Sequence, residues 1–290
     1  MNFEKLDSAS ARALRYVQNM DGVHGWLLPQ AARCIVCLHD AQRRNGVRGS
    51  VAEIGVHHGK LFILLCLLRN EGEIAVGYDL FDQQEQNIDR SGKGSLEILT
   101  DNLRHMNVGT SHLKLIAANS LQLTGARVMS DSCSQVRLFS IDGGHTAEIT
   151  RNDLSIAAEA IADDGVIILD DFFNEAWPGV ATGTAQFFQD NPKVLVPFAI
   201  VGNKVLLART DAAADAFRQV LSRSEMVAER LVRKGSEFFG YPVFVGYDAT
   251  TVFRVSRRIG VLIHRVGLLS RPRVLAQRIK RKIRMKRGRG

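Results

Sequence analysis

The sequence lacks several features that would assign it to whole classes of protein. None of its apolar runs reaches the ~18 residues that a membrane-spanning helix needs, so no transmembrane segment is predicted. The first ten residues, MNFEKLDSAS, show no basic-then-apolar signal pattern, and a cytoplasmic location is therefore expected. Cysteine is scarce, with four residues in 290. Cys34 and Cys37 form a C-x-x-C without a second pair and within a helical pattern, which favours reduced core thiols over a zinc or redox site.

Acidic residues are absent from the end of the chain. From Arg254 to Gly290 there are 14 Lys and Arg and no Asp or Glu. Residues 1–253 hold 24 basic and 30 acidic residues, a net charge of −6, so the overall charge of +8 comes from the tail. Apolar residues recur at helical spacing from Val252 to Leu269 with arginines opposite them, which indicates a basic amphipathic helix that Pro272 ends.

Three interpretations of this tail, residues 251–290, are open: an anchor on an anionic membrane surface, an arm for nucleic acid, or a solvated tail. Its charges are not interleaved with aromatic residues beyond Phe253, which argues against base stacking and so against nucleic acid as a partner. We therefore expect the tail to hold the protein peripherally at the inner face of the membrane.

The rest of the chain is organised around the stretch Val51 to Gly59, VAEIGVHHG. It predicts a buried strand, a glycine turn and the start of an apolar helix. Gly55 and Gly59 suit positive φ or the close approach of a ligand. The spacing E-x-G-x-x-x-G puts Glu53 at the strand end, where a carboxylate repels a pyrophosphate but suits a cofactor with a cationic amino group. A strand–turn–helix that binds nothing is the competing interpretation.

The next two strands also end in polar residues. The second ends at Asp79, 26 residues after Glu53, where a carboxylate can accept hydrogen bonds from ribose hydroxyls. The third ends in Asn119 and Ser120, whose small polar side chains suit the edge of an adenine. The order of these residues predicts a nucleoside-binding site along one edge of a sheet.

Five β–α repeats at this spacing predict a parallel sheet with helices on both faces. Two later strands flank the two residues Gly202-Asn203, and a turn this short makes them antiparallel. We therefore predict an α/β, Rossmann-like fold whose mostly parallel, seven-stranded sheet has one antiparallel edge strand. A helix is expected over 212–232. The predicted organisation is a helical cap (1–48), the core (49–210), a C-terminal extension (211–250) and the basic tail (251–290).

Strands four and five are predicted to end in three acids. Asp142 opens the segment Asp-Gly-Gly-His, and Asp170 and Asp171 end the fifth strand. Carboxyl ends of neighbouring parallel strands meet at one edge, so these carboxylates should converge and need a cation, Mg²⁺ for preference. Helix capping by the paired acids is the alternative. His145 is a candidate general base because imidazole titrates near neutrality, the alternative being an ordinary surface histidine.

The segments EIGVHHG, SIDGGHTAEITRNDL and DDGVIILDDF, together with Asp79, resemble class I S-adenosylmethionine-dependent methyltransferases. Within that superfamily the chain is similar, over roughly residues 20–210, to small-molecule O-methyltransferases grouped with macrocin O-methyltransferase. The resemblance implies that Asp142 lies near the methionine end of the cofactor. Related metal-dependent O-methyltransferases use a similar D…D-[DN] set. The resemblance also implies that six residues contact the cofactor: Glu53, Gly55, Gly59, Asp79, Asn119 and Ser120. It implies that Asp142, Asp170 and Asp171 contact the metal.

From this we expect methyl transfer from S-adenosylmethionine to a hydroxyl of a sugar, glycan precursor or natural product, with Mg²⁺ and His145 assisting. A nucleic-acid methyltransferase is the alternative among enzymes, but no D/N-P-P-[YFW] motif follows the fourth strand. A cofactor-binding or scaffold protein without turnover is the alternative outside enzymes.

Overall fold

A computed structural model describes residues 7–228 and 231–248. Within them, the helices are α1 (Ser8–Asn19), α2 (Pro29–Arg44), α3 (Lys60–Leu67), α4 (Leu96–His105), α5 (Gly125–Ser132), α6 (Ala147–Ala160), α7 (Pro178–Asp190), α8 (Asp211–Arg223) and α9 (Glu225–Ala228). The strands are β1 (Ser50–Ile54), β2 (Ala75–Asp79), β3 (Leu113–Ala117), β4 (Val136–Ile141), β5 (Ile161–Leu169), β6 (Val196–Val201), β7 (Lys204–Ala208), β8 (Leu231–Phe238) and β9 (Tyr241–Asp248). None of the described helices has both the length and the apolar character needed to cross a bilayer. The predicted amphipathic helix and basic tail lie outside the described residues.

The strands form one sheet in the order β3-β2-β1-β4-β5-β7-β6-β9-β8. The first five in that order are parallel, with β1 between β2 and β4. The chain therefore leaves β1 towards one side of the sheet and returns to its other side through β4. In open α/β sheets, ligands bind beyond the carboxyl ends of the strands at such a reversal.

The α/β class and the mostly parallel sheet are confirmed, but the predicted strand count is wrong. The described part of the sheet has nine strands, because the hairpin β8–β9 adds two. The helix expected over 212–232 is present as α8 and the short α9, which ends at Ala228, and β8 begins at Leu231. That hairpin joins the sheet through β9, which runs parallel to β6. The antiparallel strand β7 lies inside the sheet and not at its edge, because it pairs with β5 on one side and with β6 on the other. The edge is formed by β8, which is also antiparallel to its neighbour β9.

Two apolar cores cover the two faces of the sheet. Helices α1, α2, α3 and α8 contribute to the first core, and α5, α6 and α7 contribute to the second. Helix α3 is buried over all but its first residue, which its nearly uniform apolar sequence KLFILLCL requires. Cys34, Cys37 and Cys66 are buried and free, as the sequence predicted, whereas Cys133 is exposed.

A buried polar network lies behind β4, away from the strand ends. Arg137 is fully buried and donates bidentate hydrogen bonds to Glu73 and a further one to the carbonyl of Leu68. It also approaches Nδ1 of His39 at 3.2 Å. Burial, followed by repulsion from Arg137, lowers the pKa of His39 to about 4. His39 is therefore neutral near neutral pH and accepts a hydrogen bond from the guanidinium.

Candidate active site at the carboxyl ends of the strands

A single cavity of about 470 Å³ opens where β1, β2, β4 and β5 end. It is lined by both groups of residues that the sequence singled out, the nucleoside-binding candidates and the acids of strands four and five. Nine of the ten residues predicted for the site line this cavity: Glu53, Gly55, Asp79, Asn119, Ser120, Asp142, His145, Asp170 and Asp171. The tenth, Gly59, is the N-cap of α3 and is not part of the lining.

The turn between β1 and α3 requires glycine at both predicted positions. Gly55 has φ +85°, and a β-carbon there would lie 1.6 Å from the carbonyl oxygen of Asp142. Gly59 has φ +89°, and a β-carbon there would lie 2.4 Å from Cδ1 of Leu99. His57, between them, also takes a left-handed conformation, with φ +52°. The turn is therefore held tightly against the neighbouring elements.

Glu53 is 2% exposed, and its Oε2 atom has no hydrogen-bond partner among the described residues. Burial, followed by repulsion from Asp142, raises the pKa of Glu53 well above its ordinary value, an effect that Ser140 partly offsets. A buried carboxylate without a partner at the cavity wall fits a ligand with a cationic group. The ammonium of S-adenosylmethionine is such a group.

Asp79 organises the opposite part of the cavity. Its two carboxylate oxygens accept hydrogen bonds from the backbone N–H groups of His57, at 2.7 Å, and of Phe81, at 2.8 Å. Asn119 caps the short turn that follows β3 by accepting a hydrogen bond from the N–H of Leu121 at 3.0 Å. These residues end neighbouring strands and line one wall, which is the arrangement that a nucleoside needs.

Three ligand-type side chains meet at the other end of the cavity. Nε2 of His145 lies 3.2 Å from Oδ2 of Asp171 and 3.8 Å from Oδ1 of Asp142. The ligand atoms of all three side chains lie within 4.8 Å of one another, so they could hold one metal ion. Asp171 has a left-handed backbone, with φ +56°, and accepts hydrogen bonds from Asn174 and Asn203.

The sequence predicted that Asp170 shares a metal with Asp142 and Asp171, but in the structure Asp170 is paired with a lysine. Its Oδ2 atom forms a buried ion pair with Lys204 of β7, and its Oδ1 atom accepts a hydrogen bond from the N–H of Asp171 at 2.8 Å. Burial lowers the pKa of Lys204, but Asp170 and Asp142 outweigh this and raise it, so the lysine keeps its charge. The three acids were expected to need a positive charge nearby, and Lys204 supplies part of that charge.

His145 is fixed on several sides. Its backbone N–H and its Nδ1 atom both contact Oδ2 of Asp89, at 2.5 and 2.9 Å, and its ring stacks on Trp177 with centroids 4.4 Å apart. Burial lowers the pKa of His145, but hydrogen bonds to Asp171 and Asp89 outweigh this and raise it to about 10. The sequence predicted a histidine that titrates near neutrality. In this structure the imidazole instead holds its proton at neutral pH.

The position of His145 follows from the helices α6 and α7, which come after β4 and β5. Thr146, directly after His145, caps α6 by accepting a hydrogen bond from the N–H of Ile149. The first turn of α7 packs against the same loop: a β-carbon on Gly179 would lie 2.2 Å from the carbonyl oxygen of His145. This close approach brings Trp177, the N-cap of α7, onto the imidazole.

Sequence reasoning missed Asp89, Asn174, Trp177, Asn203 and Lys204. Asp89 and Trp177 lie in connecting segments whose spacing carries no signal for a site. The sequence did carry a signal for Lys204. This lysine begins an otherwise apolar strand, and a buried lysine needs an acidic partner.

Comparisons with known proteins give one family match and several similar folds. Residues 52–172 match a family model described as a methyltransferase domain. No curated protein matches the chain. Among solved structures, the O-methyltransferase NovP is similar, with a TM-score of 0.50 at 18% identity over 62% of this chain and 80% of NovP.

Two further solved structures have lower TM-scores. The O-methyltransferase TomG from Streptomyces achromogenes, in complex with S-adenosylmethionine, has a TM-score of 0.47 at 15% identity, over 71% of this chain and 91% of TomG. The methyltransferase MycE, in complex with Mg, S-adenosylhomocysteine and mycinamycin VI, has a TM-score of 0.46 at 14% identity, over 71% of this chain and 55% of MycE.

Proposed function

We propose that this chain is an S-adenosylmethionine-dependent methyltransferase, which its match over residues 52–172 to a model of a methyltransferase domain supports, and that it transfers the methyl group to a hydroxyl oxygen. The observation that carries the proposal is that Asp142, His145 and Asp171 meet in the same cavity as Glu53 and Asp79. One end of the cavity therefore suits the cofactor, and the other end offers groups that can bind and deprotonate a hydroxyl.

The cofactor supplies a methyl group on a positively charged sulfur. Glu53 supports cofactor binding because its unpartnered buried carboxylate can pair with the amino group. Asp79 can accept hydrogen bonds from the ribose hydroxyls at the end of β2, while Asn119 and Ser120 border the adenine. Gly55 keeps the backbone of the turn close enough to Asp142 for one ligand to contact both.

The acceptor we propose is a hydroxyl of a sugar, a glycan precursor or a natural product. An oxygen acceptor is supported by the Asp-Gly-Gly-His segment after β4, where amine-methylating enzymes carry D/N-P-P-[YFW]. The similarity in fold to the O-methyltransferase NovP points the same way. Trp177 lines the cavity beside His145 and offers a flat apolar surface to a ring.

Asp142 and Asp171 would hold a Mg²⁺ ion, since carboxylate oxygens are the ligands that this ion prefers. The ion supplies Lewis-acid polarisation of the acceptor oxygen. The charges of Asp171 and Asp142 help to keep His145 protonated, and a cation held by these carboxylates would lower the pKa of the imidazole. His145 would in that state accept the proton of the hydroxyl, while Asp89 and Trp177 hold its ring in place.

The test measures S-adenosylhomocysteine formation with a panel of hydroxyl acceptors, including sugar nucleotides and phenolic or macrolide aglycones. We expect exhaustive chelation to abolish turnover and Mg²⁺ to restore it. His145→Ala should lower kcat by about 10²–10⁴-fold with little change in cofactor affinity.

The exposed His105 provides the matched control, and His105→Ala should leave turnover unchanged. Full activity in excess chelator would remove the metal from the proposal. Full activity of His145→Ala would transfer the role of base to another residue, with Asp142 the next candidate.

A further inference from the structure

A group of three histidines lies on the outer side of the cofactor turn. His57 and His58 are stacked, with ring centroids 3.8 Å apart, and the ring of His24 lies 5.3 and 5.4 Å from theirs. The three histidines each offer one ring nitrogen, and these nitrogens lie within 4.8 Å of one another. His24 belongs to the segment between α1 and α2, so the group joins two separate parts of the chain.

The backbone brings these rings together at a conformational cost. His57 has φ +52°, a left-handed conformation that is uncommon outside glycine, although histidine adopts it more often than most residues do. The segment that carries His24 packs closely on α3, because a β-carbon on Gly25 would lie 3.0 Å from Cβ of Lys60. Tyr16 of α1 donates a hydrogen bond to the carbonyl oxygen of Lys60 at 2.7 Å.

Within the described residues, Nδ1 of His58 is buried and makes no hydrogen bond, while the ring has a hydrogen-bonding interaction with the backbone of Lys93. A buried ring nitrogen without a partner loses its hydration and gains nothing in return. A ligand atom at this point would remove that cost.

We propose that His24, His57 and His58 bind one divalent transition-metal ion of the zinc class. Imidazole nitrogen suits Zn²⁺, Cu²⁺ and Ni²⁺, whereas the oxygen-rich set of Asp142 and Asp171 suits Mg²⁺. Zn–N bonds of about 2.0–2.1 Å in a tetrahedral site place ring nitrogens roughly 3.4 Å apart. His24 is exposed, so rotation of its side chain can close the remaining gap.

The site is separate from the methyl-transfer chemistry, but it adjoins the cofactor cavity, which His57, Gly25 and Trp26 line. Three protein ligands leave a fourth position for water. A metal ion bound there ties the segment between α1 and α2 to the turn between β1 and α3. The ion would thereby stabilise the wall of the cavity against which the cofactor binds.

The test titrates Zn²⁺ into the full-length, tag-free protein by calorimetry, after removal of bound metals. It is carried out in an Asp142→Asn/Asp171→Asn background, so that Zn²⁺ cannot bind to the acidic set. We expect one Zn²⁺ per chain. Adding His24→Gln or His58→Gln should weaken binding at least ~100-fold, because even loss of an outer-shell partner costs about 10–100-fold.

The control is His105→Gln, which should leave Zn²⁺ affinity unchanged. Replacement by Co²⁺ should give a visible ligand-field spectrum that His24→Gln removes. Since His24 is exposed, its substitution is not expected to affect folding, and circular dichroism checks this. Zn²⁺ affinity in the His24→Gln protein within twofold of its parent would overturn the proposal, as would Zn²⁺ binding that requires Asp142 and Asp171.

Discussion

The backbone of Gly55 lies against that of Asp142, so closely that a β-carbon on residue 55 would be 1.6 Å from the carbonyl oxygen of residue 142. The same two segments are joined by a hydrogen bond from the N–H of Asp142 to the carbonyl of Ile54, at 2.8 Å. The glycine turn after β1 and the loop that carries Asp142 are thus in direct backbone contact.

We expect Gly55→Ala to separate these two segments. The methyl group cannot occupy the position of a backbone oxygen, and the left-handed φ adds strain, so the free energy of unfolding should fall by about 1–3 kcal/mol. Affinity for S-adenosylhomocysteine should fall at least tenfold by calorimetry. Gly22→Ala is the control, because a β-carbon there meets no atom within 4 Å. Wild-type affinity in Gly55→Ala would show that the turn does not contact the cofactor.

The substitution Asp79→Ala should lower the affinity for S-adenosylhomocysteine at least tenfold. The variant loses two acceptors for ribose hydroxyls, worth roughly 2–5 kcal/mol together, and the anchor for the N–H groups of His57 and Phe81. The exposed Asp82→Ala is the control. A cofactor analogue without ribose hydroxyls separates the two effects: it should bind wild type and Asp79→Ala more nearly equally. If Asp79→Ala lowers the affinity for both ligands equally, Asp79 acts only by holding the turn in place.

The buried ion pair between Lys204 and Asp170 makes a prediction about stability. Lys204→Met leaves the carboxylate of Asp170 buried without its cation, which should cost about 3–5 kcal/mol in urea unfolding. Adding Asp170→Asn removes the unpaired charge and should recover most of that loss. The exposed pair of Arg104 and Asp101 is the comparison, and Arg104→Met should cost less than about 1 kcal/mol. Additive effects of the two buried substitutions would contradict the pairing.

His39 predicts how stability changes with pH. Its pKa is lowered to about 4 in the folded protein, whereas an unfolded histidine takes up a proton near pH 6.5. As the pH falls from 6.5 to 4 the unfolded chain binds the proton first, so the free energy of unfolding decreases, by roughly 3 kcal/mol in all. His39→Gln should remove this part of the slope, and His105→Gln should not. Identical slopes for wild type and His39→Gln would exclude the buried neutral histidine.

The basic tail, residues 251–290, makes a prediction from its sequence alone. Full-length protein should bind anionic vesicles at low salt, because basic residues near such a surface contribute about 1 kcal/mol each and salt screens them. A chain ending at Asp248 should lose this binding and keep activity on a soluble acceptor. Vesicles of phosphatidylcholine alone are the control. Full-length protein that floats free of anionic vesicles at low salt would show that the tail has another role.

The amino-acid sequence by itself determined the local elements and the polarity of the strand ends. Strand β4 is buried along its length and is a short, mostly apolar run bounded by turn residues, a pattern that the sequence shows directly. Runs of this kind placed Glu53, Asp79, Asp142 and Asp171 at carboxyl ends, and all four line one cavity. The C-terminal extension was harder to predict, because only the pairing of β9 with β6 makes the hairpin β8–β9 part of the sheet.

Only the tertiary structure decided the charge state and partners of the site. Lys204 reaches Asp170 because β7 pairs with β5 from the opposite direction, and no spacing in the sequence indicates that neighbour. His145 lies between Asp89 and Asp171, which are 56 residues before it and 26 residues after it. The pKa of a side chain depends on charges and hydrogen bonds within a few ångströms, whichever part of the chain supplies them. The sequence could therefore name the ionisable groups, but their protonation follows from the fold.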